Sequence, residues 1–321
     1  MAGPLALSRR QVILAAGAAV PAAAIAAGTF RERGSSTAAM PALPERTVRA
    51  VVDAQPTADG AGVKLRRALG SRALPMLDPF LLLDEMHSDR PEDYSAGFPT
   101  HPHRGFETVT YVLEGAVHHK DSLGHEGHLG SGSAQWMTAG RGIVHSEMPE
   151  QEEGLMQGFQ LWVNLPASEK MTAPRYQDIA PERVPEVAVE GGVVRVLAGR
   201  FGTAEGPVAG VSVDPTYLDV ALVAGASFRT EIPSGHSAFV YAFEGGVRVG
   251  AGAESRRIES GELAVLGSGD TVAARADDGP GRFIFVAGRP LGEPVARYGP
   301  IVMNTRAELA QAFDDLRNGT F

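Results

Sequence analysis

The 321-residue chain contains no cysteine, which excludes disulfides, thiolate nucleophiles, zinc fingers and iron–sulfur ligation. Any metal must therefore be held by histidine nitrogen and carboxylate oxygen. Basic residues are in deficit, 29 Lys and Arg against 38 Asp and Glu, for a net charge of −9. With no basic block beyond the first residues, the footprint of phosphate-backbone binding is missing, and no nucleic-acid partner is expected. Long helical periodicities are also scarce. What is abundant is punctuation: Gly 39 and Pro 22 make up nearly one residue in five without any Gly-x-y period. With 44% apolar residues, this is the composition of a globular chain of short strands and tight turns, an all-β protein.

The first residues are set apart. Ser8-Arg9-Arg10 precedes an apolar run to about Ala27 that is interrupted by Pro21, too short and broken for a comfortable membrane span. Paired arginines before a mildly hydrophobic stretch resemble a twin-arginine export signal over residues 1–34, with a frayed Ala-rich helix as the bland alternative. This segment carries net +3, which leaves −12 on the remainder. Residues 35–46, rich in Ser, Thr, Ala and Pro, read as a linker. Beyond them Thr108–Leu113, Phe159–Val163, Gly192–Leu197, Phe239–Phe243 and Phe283–Ala287 read as strands. They fall into two blocks, 47–165 and one beginning at 190, joined by a connector at 166–189. A single helix stands out near residue 305, where Thr305-x-x-Glu308 forms a capping box and Leu309, Ala312, Phe313 and Leu316 share one face.

Seven of the nine histidines lie between positions 101 and 145. In His101-Pro102-His103 the imidazoles sit at i and i+2, so on the extended backbone that proline favours both leave the same face. His145-Ser146-Glu147 repeats the spacing. Two such pairs on strands of one small barrel would offer three nitrogens and one oxygen to a single ion and leave positions open on it. The alternative is polar decoration of wet strand faces.

The pattern His101-x-His103-x-x-x-Glu107, with Gly132 and Gly140 ahead of His145, resembles the two-part cupin signature. LDPFLLLDEM (77–86), GFPTHPHRGFETVTYVLEG (97–115), DSLG (121–124), QWMTAGRGIVHSE (135–147), QLWVNLP (160–166) and GPIVMNT (299–305) narrow the resemblance to the pirin family. That resemblance implies a bicupin: two antiparallel jelly-roll barrels packed together, the first over 47–165, the second over 190–321 with a short C-terminal helix. It further implies one divalent transition metal in the first barrel, held by residues matching His101, His103, His145 and Glu147. Iron(II) is the first candidate, with manganese, copper, nickel and zinc as alternatives. The second barrel, with His236 as its lone histidine, is expected to hold none.

Glu107 stands at the usual cupin carboxylate position, and with Glu147 it is a candidate catalytic proton acceptor; a salt-bridged structural glutamate is the alternative. Phe98, Trp136 and Met137 are candidates for an apolar substrate wall, or else ordinary core. His118, His119, His125 and His128, around the DSLG turn, are expected on a solvated hairpin.

Dioxygen is a triplet and reacts slowly with a closed-shell phenol, so a redox-active metal or a metal-bound substrate anion is what such a site would contribute. The resemblance therefore implies a dioxygenase of quercetin 2,3-dioxygenase type, acting on a small aromatic substrate and O2. A non-catalytic metal-binding or redox-sensing protein and an isomerase-like cupin remain as alternatives. Passage through twin-arginine machinery would place the folded protein outside the cytoplasm, which favours the enzyme over a transcriptional partner.

Overall fold

The computed structural model describes residues 44–250 and 252–321. The expected export segment 1–34, and most of the 35–46 linker, lie outside the described residues. The rest is a bicupin, mostly strand, with one helix of several turns at Arg306–Asn318.

The strands as far as residue 179 are β1 Val48–Asp53, β2 Gln55–Asp59, β3 Val63–Leu69, β4 Phe80–Ser88, β5 Phe98–His103 and β6 Phe106–Glu114, then β7 Ala116–Asp121, β8 Glu126–Gly130, β9 Ala134–Thr138, β10 Ile143–Pro149, β11 Met156–Asn164 and β12 Arg175–Ile179. β2 to β12 pair antiparallel, in a seven-stranded sheet ordered β12-β9-β6-β11-β4-β3-β2 and a four-stranded sheet ordered β5-β10-β7-β8. These form the N-terminal cupin as two sheets, not a closed hydrogen-bonded ring. The C-terminal cupin is a ten-stranded sheet built around Ser237–Val249, Gly281–Gly288, Thr216–Leu222 and Gly192–Ala198.

Alternation on β6 shows how burial is divided. Val109 and Tyr111 face outward into a core shared with Tyr217, Phe239 and Tyr241 of the C-terminal cupin. Thr110 faces inward, onto a cavity. The shared core is also tied by buried polar contacts: the Tyr111 hydroxyl donates to Asp219 at 2.7 Å, and the Tyr241 hydroxyl donates to Glu85.

The division at residues 47 and 166–189 differs from the structure in three places. β1 pairs with Glu262–Leu266, so the first strand belongs to the sheet of the C-terminal cupin. β12, inside the expected connector, pairs with β9 and edges the N-terminal cupin. The hairpin Ala296–Tyr298 and Ile301–Met303, with the helix after it, packs back on the N-terminal cupin. Val302 N–H donates to the Arg104 carbonyl at 3.0 Å, and Arg104 Nη1 donates to Asp315 at 2.7 Å. A β-carbon on Gly105 would lie 1.9 Å from the Val302 carbonyl oxygen, so this position accepts only glycine. Local composition does not reveal these pairings, because the partner lies some 200 residues away for β1 and the hairpin and about 40 for β12.

The terminal helix forms as its sequence requires. Thr305 accepts from Glu308 N–H, the Glu308 carboxylate accepts from Thr305 N–H, and Gly319 closes the last turn in the left-handed region at φ 71°.

Candidate metal centre

His101 and His103 extend from β5, and His145 and Glu147 from β10, as their i, i+2 spacing requires. Register brings the pairs together: His145 lies directly opposite His101 on β5 and opposite Asp121 on β7. The ring centres of His101, His103 and His145 are 4.4 to 4.9 Å apart, and one donor nitrogen from each falls within 4.8 Å of the others.

The nitrogens are those a cation needs. His101 Nδ1 lies 2.9 Å from the Pro99 carbonyl oxygen, a contact that uses its N–H and leaves the Nε2 lone pair free. That Nε2 lies 3.0 Å from His103 Nε2. Two metal–nitrogen bonds of about 2.1 Å at a right angle span roughly the same distance. His145 is buried with neither ring nitrogen partnered. Leaving such groups dry and unpaired is costly, and an ion removes the cost. Burial, reinforced by the neighbouring imidazoles, pushes His103 and His145 well below the usual histidine range, so both present neutral, ligating rings. These three side chains can hold a metal.

Glu147 stands beside the trio without being part of it. Its Oε1 lies 2.9 Å from Thr110 Oγ1, and its Oε2 accepts from Gln160 Nε2 at 3.2 Å. Thr110, Gln160 and Glu147 line, with His101 and His103, a cavity of about 530 Å³. Trp162 sets its ring 5.4 Å from that of His103. Gln160 and Trp162 fall in the QLWVNLP stretch that carries the family resemblance, but alternation alone does not tell which of its residues face inward.

Several expectations are corrected. Glu107 lies on the outward face of β6 with Val109 and Tyr111, where it accepts from Thr138 Oγ1 at 2.6 Å, so it is not a proton acceptor in the cavity. Burial there pushes its carboxyl up to about 7. Trp136 joins the same core between the cupins, and Met137 packs on Ala139, Ile143 and Tyr176. Of the three proposed wall residues, only Phe98 lines the cavity. His119 is not on a wet hairpin face: it is 1% exposed, packs on Tyr176 and stands opposite Glu147. His118 and His128 do face outward, stacked on each other and paired with Glu126 and Glu150.

Comparisons with known proteins agree with this architecture. The pirin family model matches residues 62–163, and the model of the pirin C-terminal cupin domain matches residues 217–321. A pirin-like protein of Caulobacter vibrioides is 51% identical over 282 residues, 87% of this chain and all of that protein. Human pirin is 46% identical over 264 residues, 81% of this chain and 88% of its own length. Among solved structures, quercetin 2,3-dioxygenase from Acinetobacter baumannii superposes with a TM-score of 0.80 at 35% identity, covering 86% of this chain and 98% of that one. The chain belongs to the pirin family.

Proposed function

We propose that this pirin is a dioxygenase that takes a planar, hydroxylated aromatic of flavonol type into the cavity beside His101, His103 and His145 and opens its oxygenated ring with O2. The observation that carries the reading is the union of two features in one place. The His101, His103 and His145 cluster adjoins, through His101 and His103, a cavity of about 530 Å³, within the range that encloses a small-molecule ligand. Val63, Leu65, Met86, Phe98 and Met156 supply an apolar wall to stack a flat ring and exclude water. The name of the Acinetobacter protein supports the reaction class.

A divalent metal, iron(II) before manganese, copper, nickel or zinc, held by His101, His103 and His145 with Glu147 as a further oxygen donor, would acidify a substrate hydroxyl and, where redox-active, open a path to O2. The side chains do the rest. The Pro99 carbonyl fixes the tautomer and rotation of His101. Thr110 and Gln160 hold the Glu147 carboxylate in one orientation at the cavity wall, where it accepts the proton of the entering hydroxyl. We place this reaction outside the cytoplasm, reached through the Arg9-Arg10 segment; changing both arginines to lysine would leave the protein inside.

The test is an oxygen-electrode trace with quercetin, run on separately metal-loaded samples alongside flavonol absorbance. Oxygen-dependent decay that disappears in His145→Ala is the expected result. If no metal form consumes oxygen, a non-catalytic binding protein is the better reading.

A further inference from the structure

The cavity is not walled by the N-terminal cupin alone. Arg297, Gly299 and Pro300, from the hairpin that crosses back after the C-terminal cupin, close one side of it. Two arginines thus line the cavity, and their charges are used differently. Arg67 is spent within the wall: its Nε and Nη2 fork onto the two oxygens of Asp84 at 2.7 Å each, and Nη2 also reaches Asp59 at 2.8 Å. Arg297 forms no ion pair among the described residues. Its Nη1 donates to the Leu81 carbonyl at 3.0 Å and its Nε to the Gly299 carbonyl at 3.4 Å. The guanidinium lies 4.7 Å over the Trp162 indole, which in turn meets the ring of His103. Asp84 acts on it only from a distance, its oxygens already held by Arg67.

A half-buried guanidinium, held flat by an indole and with Nη2 unused, is preorganised for an oxyanion. Its position, one indole away from the histidines, suits the far end of a flat bicyclic ligand. Resting on the dioxygenase reading for the orientation of the substrate, the geometry points to Arg297 as a specificity-determining residue. It pairs with an ionised oxygen, carboxylate or acidic phenol, at the end of the aromatic substrate remote from the histidines. The cavity thereby selects aromatic anions over neutral molecules of the same shape.

The experiment is calorimetric titration of the full-length, metal-containing protein with 6-hydroxy-2-naphthoate and its neutral isostere 6-hydroxy-2-naphthamide. Wild type should favour the carboxylate by about tenfold or more, the scale of one charge-assisted contact. Arg297→Met keeps a long apolar stem against Trp162 and should reduce the preference to about twofold or less, changing the amide affinity little. Arg297→Lys should retain part of it. Equal wild-type affinities, binding of neither ligand at millimolar concentration, or equal losses for both ligands in Arg297→Met each overturn the inference. Should the variants misfold, equal wild-type affinities still overturn the inference. Oxygen uptake is a separate readout: a carboxylate preference without oxygen consumption sinks the dioxygenase reading and leaves the anion site, whereas oxygen consumption without the preference does the reverse.

Discussion

Inside the C-terminal cupin, Val194, Val196, Leu218, Val220, Phe228 and Phe285 fill the space with side chains less than 3% exposed. Inside the N-terminal cupin stand three imidazoles, a carboxylate, an amide and a cavity of about 530 Å³. Both are antiparallel and alternate in the same way, so the backbone does not decide which is hollow. The inward-facing residues do: apolar throughout in one half, and in the other His101, His103, Thr110, Glu147 and Gln160 beside an apolar wall. A hollow, polar interior forgoes the burial that stabilises a domain. The N-terminal cupin recovers burial on its other face, where Tyr111, Trp136 and Phe159 pack against Tyr217, Phe239 and Tyr241. One half thus supplies the packing against which the other can keep a site open.

The comparison can be broken at four points. The largest effect is expected from His101→Ala combined with His145→Ala: elemental analysis should fall from one equivalent of metal to none, with far-UV circular dichroism unchanged. Metal retained in that variant would move the site elsewhere. Next comes one substitution made in both halves. Leu218→Ala, in the filled interior, should cost about 2–5 kcal/mol in urea unfolding, and Leu82→Ala, flanking the cavity, should cost less than the lower end of that range. Equal costs would mean that the N-terminal cupin packs as tightly as its neighbour.

The third test uses the carboxyl buried on the outward face of β6. Folded Glu107 has its pKa raised from 4.5 to about 7, chiefly by burial. The folded state therefore binds this proton more tightly than the unfolded chain. Its stabilising contribution is complete below about pH 4.5 and is lost as pH rises through 7, roughly 3 kcal/mol in all. Glu107→Gln should accordingly gain on wild type between pH 5 and pH 8 and level off above, followed by urea midpoints; a gap independent of pH would refute the shift. The smallest effect is expected from Thr110→Val, which removes the hydroxyl beside Glu147 and should weaken metal binding about tenfold, read from competition with a chelator.

Much of this was legible in the sequence, and the limits are physical. His101, His103, His145 and Glu147 could be placed on two strands because period-two alternation fixes relative facing within a strand. Alternation leaves absolute facing open, which is why Glu107 and Trp136 were expected in the cavity and lie on the opposite faces of β6 and β9. His119 shows a related limit: a hairpin rich in histidine looks solvated until the strand on its other side is known, and here β10 and Tyr176 cover it. The capping box at Thr305 needed no such partner and is present as its four residues imply. Arg297 gave no signal, since a lone arginine in a three-residue strand acquires meaning only from the cavity that the crossing hairpin closes.

That crossing has a consequence for how the molecule is made. The strands bearing His101 to Glu147 leave the ribosome about 150 residues before Arg297, an interval of roughly 10–30 s at ordinary rates of synthesis. β1 waits longer still for Glu262–Leu266. During that interval the nascent N-terminal half holds its histidines beside a wall not yet built. A product that stops before residue 296 lacks that wall and the Asp315 anchor of Arg104. The cavity is thereby completed only once the last hairpin has been made, so the N-terminal half alone does not carry the whole site.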